Sequence, residues 1–391
     1  MKVLARFLMA LLVVLPALAE ASELRGTGNL GVVVERAAGS VLIVDTSARQ
    51  TIGRVQGLGD LSHASAVFSP DQRYAYVFGR DGGLTKVDLL TASIAKRIVQ
   101  AGNSIGGAIS DDGALIAVSN YEPGGVRVFS ADTLAPVANI AAIGSNGKSS
   151  KTVGLVDLPG RRFAFALYDA GEIWVADLSA PETPTIEKLT GVGKLPYDGN
   201  VTPDGRHYLA GLFGEDGVVH VDTWQAPLKA ERILDRYGRG EEGLPVYKMP
   251  HLEGWATVGD RLLLPAVGRH ELIAVDTRSF AEAGRVATHG QPVFAVARPD
   301  GRHVWVNFAH PRNDTIDIVD VQTLKLVHRF APGPAVLHME FTPRGNEVWV
   351  SVRDADRIDV YDTTTFAKKA EFSAQKPSGI FFTARATRIG Q

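Results

Sequence analysis

No cysteine occurs among the 391 residues. That excludes disulfides, thiolate metal sites, a cysteine nucleophile and a lipid-anchored cysteine. A basic excess is also missing: 41 Lys and Arg stand against 43 Asp and Glu, for a net charge of -2. Nucleic-acid binding ordinarily needs a basic face, so no nucleic-acid partner is expected. The chain has no HExxH motif. No amphipathic segment of helical length interrupts it, which excludes βαβ folds. What it has in quantity is glycine, 41 residues, with 20 prolines, the composition of a chain with many tight turns.

Only the N-terminus carries a sustained apolar run. Met1 to Arg6 is short and basic, Phe7 to Ala17 is apolar, and Ala17-Leu18-Ala19 and Ala19-Glu20-Ala21 are small-x-small sites. This is the pattern of a cleaved signal peptide over residues 1–21, too short for a ~20-residue membrane span. The mature chain, 22–391, is expected to be exported, with no integral membrane segment after processing.

The stretch Ala66 to Leu89, AVFSPDQRYAYVFGRDGGLTKVDL, reads as strand, turn, strand, turn, strand. It recurs at Val201–Asp222, Val296–Asp320 and Phe341–Asp362, and more loosely elsewhere. Unit starts fall at residues 66, 108, 154, 199, 254, 295 and 339, a period of about 45 residues, with a weaker fourth strand in each unit. Four antiparallel strands at this period are a propeller blade. Residues 26–57 form an additional, incomplete unit. Gly379–Thr383 reads as its missing strand. The expected fold is therefore all-β, a single eight-bladed β-propeller closed by pairing of its N- and C-terminal strands, which removes free sheet edges. Seven blades is the alternative count.

Asp88, Asp177, Asp222, Asp276, Asp320 and Asp362 recur at strand ends. Their repetition points to turn hydrogen bonding rather than to catalysis. Gly26-Thr27-Gly28-Asn29-Leu30-Gly31 matches GxGxxG, but it precedes a strand instead of opening a helix after one. The glycines are expected to begin a strand, and no NAD is expected. Units five and six are spaced wider than the rest. The additional residues, Arg232 to His251, are charged and aromatic, and read as a functional loop on one face.

His63 precedes the first strand of unit two, and His251 lies at the corresponding point of unit six. In an eight-blade ring those units face each other across the axis. Two such imidazoles can hold a planar ligand between them, or one can ligate iron while the other serves as acid or base. The plain alternative is two surface or hydrogen-bonded histidines. His207 and His303 follow Gly-Arg turns and are expected to point to solvent; His289 and His310 are weaker candidates. Arg54, Arg80, Lys148, Lys151, Arg236, Arg239 and Lys248 are cations in expected loops, suited to carboxylates. Tyr121, Tyr197, Tyr237, Tyr247 and Trp255 suit a flat conjugated ligand.

His63-Ala64-Ser65, Ser69-Pro70-Asp71 and Tyr76-Val77-Phe78-Gly79-Arg80-Asp81-Gly82 together resemble the haem d1 domain of cytochrome cd1 nitrite reductases. Asn120-Tyr121-Glu122-Pro123, Tyr197-Asp198-Gly199 and Met249-Pro250-His251 extend the match. Over essentially the whole mature chain, the sequence is similar to the periplasmic propellers of haem d1 biosynthesis. The resemblance implies His63 as the iron ligand and His251 on the distal side. The family's second distal histidine, near Ala266 or Val267, has no counterpart here, and His270 is not given its role. There is also no haem c motif, so nitrite reduction is not expected.

The implied function is late haem d1 biosynthesis. An iron tetrapyrrole precursor is held over the channel, and its side chain is oxidised or modified. His251 moves a proton. Arg80, Lys151, Arg236 and Arg239 bind carboxylates, beside Tyr121 and Tyr197. The implied partners are other haem d1 maturation proteins, a periplasmic cytochrome electron acceptor and nitrite reductase. The alternative is a non-catalytic tetrapyrrole carrier, chaperone or scaffold.

Overall fold

The structure, a computed structural model, describes residues 26–235 and 254–390. Within them the chain forms eight four-stranded antiparallel sheets arranged in sequence order. Each sheet is a blade. Blade two, Ser65–Phe68, Tyr74–Phe78, Gly83–Asp88 and Ser93–Val99, shows the rule. Its second and third strands are almost wholly buried, because each blade face is covered by the next blade. That is why Tyr74–Phe78 reads as an unbroken apolar run rather than an alternating one. The fourth strand lies at the rim, and its burial falls off accordingly.

Blade one is built from both ends of the fold. Pro377–Phe382 pairs with Leu30–Glu35, which pairs with Ser40–Asp45 and then Gln50–Val55. The ring is thus closed by hydrogen bonds, as the incomplete first unit predicts. Gly26 to Gly31 lead into a strand followed by another strand, the arrangement expected of them. Among the described residues, the only helical elements are three short 3₁₀ turns, and no helix is long and apolar enough to cross a membrane.

Two repeated turns fix the blades. Between the first and second strands, Ser69 donates to Asp71, Ser110 to Asp112 and Thr202 to Asp204. Gly113 closes one of these turns at φ +71°, and Pro70 of the neighbouring blade would lie 2.4 Å from an added Cβ, so glycine is required there. Between the third and fourth strands the recurrent aspartates accept backbone N–H groups. Asp88 takes Leu90 at 2.9 Å, and Asp362 takes Thr364 and Thr365 at 2.9 and 2.8 Å. Asp177, Asp222, Asp276 and Asp320 do the same. These are turn residues, as their repetition indicates.

Two expectations are corrected. His207 does not point to solvent: its Nδ1 lies 2.9 Å from His220 Nε2, and both rings pack on Phe280. His303 is likewise half-buried, with its Nδ1 enclosed. His207 sits where the third strand of its blade and Phe280 of the neighbouring blade cover the start of the second strand. Arg54 is not in a loop. It belongs to the outer strand of blade one and is bridged at 2.8 Å to the buried Glu35.

Candidate functional site

Inner strands run from one face, here the upper, to the other, so loops between blades and loops joining second to third strands share the upper face. That places His63, Arg80, Tyr121, Lys151 and Tyr197 at the same end of the molecule. His251, Arg236, Arg239, Tyr237, Tyr247 and Lys248 lie outside the described residues. Arg232 belongs to the outer strand of blade five, where it pairs with Glu215 at 3.0 Å.

A central cavity of about 840 Å³ occupies the channel, within the ~300–1,000 Å³ range of small-molecule and cofactor sites. Its walls come from the inner strands, including Ala66, Gly107, Leu155, Phe294, His338 and Phe381. Its upper mouth carries Ser62 and His63 from blade two, Arg36 from blade one, Arg353 and Asp354 from blade eight, and His310 and Asp314 from blade seven. His63 is half-buried there, on the last residues before an inner strand.

The other expected contacts gather elsewhere on the upper face. Tyr121 and Tyr197 share a 2.8 Å hydrogen bond between their hydroxyls. Tyr197 packs edge-on against Tyr168 at 5.7 Å. Arg80 lies 5.2 Å from the Tyr121 ring centre, and Lys151 lies 5.5 Å from that of Tyr168. Burial raises the pKa of both Tyr121 and Tyr197, so both are neutral phenols at ordinary pH. Lys151 also pairs with Asp169 at 3.0 Å. This cation–tyrosine cluster spans blades two to five, and its members do not line the central cavity. Lys148 is exposed in a loop, and Trp255 is buried at the start of blade six.

The structure adds groups that the sequence reading did not single out. Arg36 faces the cavity half-buried, with no hydrogen bond or ion pair among the described residues. Burial, then the neighbouring Arg353, lowers its pKa, against the opposing pull of Asp60 and Asp354. Arginine remains charged regardless, so the rim presents a poorly compensated cation to the cavity. Arg353 is held by both oxygens of Asp354, at 2.8 and 2.9 Å. His338 stands in the wall, and its Nδ1 accepts the Ile380 N–H at 3.2 Å, which leaves the proton on Nε2 when the ring is neutral. A signal existed for these. Arg36, Arg80, Arg269 and Arg353 occupy the same loop of different blades, and His338 interrupts an apolar inner strand.

An eight-bladed propeller with a central cavity and a histidine at its mouth defines the class: a propeller with a cavity sized for a small molecule or cofactor. The chain matches the Cytochrome D1 heme domain family over residues 25–386 and belongs to it. Protein NirF of Pseudomonas aeruginosa is 54% identical over 382 residues, spanning 97% of each chain. The Dihydro-heme d1 dehydrogenase of the same organism is 29% identical over 362 residues, 90% of this chain and 70% of that one. The solved structure of Dihydro-heme d1 dehydrogenase NirN in complex with DHE superposes with a TM-score of 0.80 at 27% identity, covering 92% of this chain and 76% of that one.

Proposed function

We propose that this is a periplasmic protein of haem d1 biosynthesis that takes an iron tetrapyrrole precursor at the upper mouth of the cavity and oxidises or modifies its side chain. The observation that carries this reading is His63 at the mouth of a roughly 840 Å³ cavity, in a fold shared with a relative solved with DHE bound. His63 is the axial ligand in this reading. The unpaired Arg36 takes a carboxylate, with Arg353 beside it. Arg80, Lys151, Tyr121 and Tyr197 serve the part of the ligand that reaches blades two to five, and Arg236 and Arg239 are further candidates for its carboxylates.

Similarity to a dehydrogenase supports an oxidative step. Converting a saturated side-chain carbon pair to a double bond releases two electrons and two protons. His251 receives one proton, and the other is released to solvent. The electrons pass in two transfers to an external one-electron carrier of the cytochrome class. Other haem d1 maturation proteins and nitrite reductase are the expected partners for supply and delivery. The basic start and apolar run of residues 1–21 support export.

Incubation with dihydro-haem d1 and an oxidised cytochrome tests the step. The expected result is a product two mass units lighter, retained binding but lost conversion in H251A, and reduced cytochrome in the full chain. A bound, unchanged tetrapyrrole identifies a carrier instead. Arg36→Ala is expected to weaken binding about 10–100-fold, as for loss of one hydrogen bond to a charged group worth ~1.5–3 kcal/mol. Arg36→Lys should fall between, because it keeps the charge and loses the fork. Equal dissociation constants for all three proteins in a spectral titration would remove Arg36 from the site.

A further inference from the structure

At the lower end of the channel the chain runs across the ring. After the last inner strand, the chain continues as a 3₁₀ turn, Thr383–Thr387, and on to Gly390. Thr383 anchors the start by donating to the Thr27 and Leu30 carbonyls at 2.7 and 2.9 Å. Arg385 is bound by Glu340, from the lower end of the blade-eight inner strand, and both are buried. Ala386 packs on the core of blades one and two. Ile389 packs on the core of blades four and five. The segment therefore crosses the mouth from one side of the ring to the other. At its far end, the Gly390 N–H donates to Asp157 Oδ1 at 2.9 Å, and both residues line the cavity. Gly390 fits against Val201 so closely that an added Cβ would lie 2.2 Å from its Cγ1.

We propose that residues 383–390 are a seal that makes the channel a well with a single, upper entrance, and that Asp157 is the latch, closed when protonated and loosened when ionised. The proposal is independent of which ligand the well takes. Asp157 is buried and has no ion-pair partner among the described residues. Burial raises its pKa to about 7, the Gly390 N–H pulls it back, and Asp111, from the turn after the blade-three inner strand, pushes it up again. No cation offsets Asp111 from the seal itself, since Arg385 and Arg388 both face Glu340.

The sign follows from linkage. A carboxyl whose pKa is raised in the closed state binds its proton more tightly there than when the seal opens. The seal is therefore firmest below the open-state value and weakens as pH rises through about 7. With an ordinary aspartate value in the open state, the open-to-closed ratio rises about tenfold between pH 6 and pH 8.

Hydrogen exchange of the 383–390 peptide in the full chain measures this directly. The expected result is protection at pH 6 and about tenfold faster exchange at pH 8, beyond the intrinsic amide rate, with Asp157→Asn showing no such rise. Exchange at pH 6 as fast as that of an unstructured peptide overturns the seal. A wild-type rise absent at pH 8, or one retained in Asp157→Asn, overturns the latch. The unsubstituted chain carries the pH test by itself if the variant fails to fold.

Discussion

Arg385→Ala is expected to lower the unfolding free energy by about 3–5 kcal/mol, the cost of leaving a buried carboxylate without its partner. Arg385 and Glu340 are both enclosed, with the Arg385 Nε donating to Glu340 Oε1 at 2.9 Å and a second bond from Nη2 to Oε2. Arg388 also faces Glu340 but makes no hydrogen bond to it among the described residues, so Arg385 is the cation that satisfies the carboxylate. Urea unfolding at unchanged m-value would show the loss as a lower midpoint. The paired change, Arg385→Met with Glu340→Gln, should recover much of it, because two neutral groups avoid the stranded charge. A single-variant loss below about 1 kcal/mol, the range of an exposed pair, would mean that Glu340 finds water on relaxation.

His63→Ala should abolish the axial-ligand signature of a bound iron tetrapyrrole and shift its visible bands. His63 approaches the cavity from the residues just before a rigid inner strand, so its ring is positioned by the blade rather than by a free loop. Added imidazole should restore the signature in the variant, since the vacated space at the mouth admits the free ring. Identical spectra for the two proteins, with and without imidazole, would show that the iron takes its ligand elsewhere. The rescue separates ligation from a merely structural role, which free imidazole does not repair.

The fold was legible because its physics is local and repeated. Runs such as Tyr74–Phe78 and Arg162–Leu167, punctuated by Ser-Pro-Asp and Asp-Gly turns, recur at one period, and the short first unit announces its missing strand. The recurrent strand-end aspartates were legible for the same reason. The site was legible only in part. His63 stood out because its position in the unit is fixed by the strand that follows. Arg36 and His338 did not, because each becomes notable only when eight blades bring it to a common axis. Arg54, a loop cation by its neighbours, is in fact a strand residue satisfied by Glu35, a pairing that reaches across the intervening Ser40–Asp45 strand of blade one. His207 was misjudged likewise: its partner His220 is one hairpin away. The cation–tyrosine cluster shows the same limit from the other side, since its members converge with one another but not on the cavity wall.

The strand that completes blade one has a consequence in time. Leu30–Glu35 emerges in synthesis long before Pro377–Phe382, yet they must lie side by side before the ring is whole. At about 5–20 residues per second, translation alone separates their appearance by tens of seconds. Throughout that interval Leu30–Glu35 has an unpaired edge, and the cavity has a missing wall, since Ser378, Gly379 and Phe381 are part of it. No partly made chain can therefore hold a ligand as the finished one does. Loading is an event in the life of the complete protein, and every truncation upstream of Pro377 should yield an open-edged, aggregation-prone chain rather than a weaker binder.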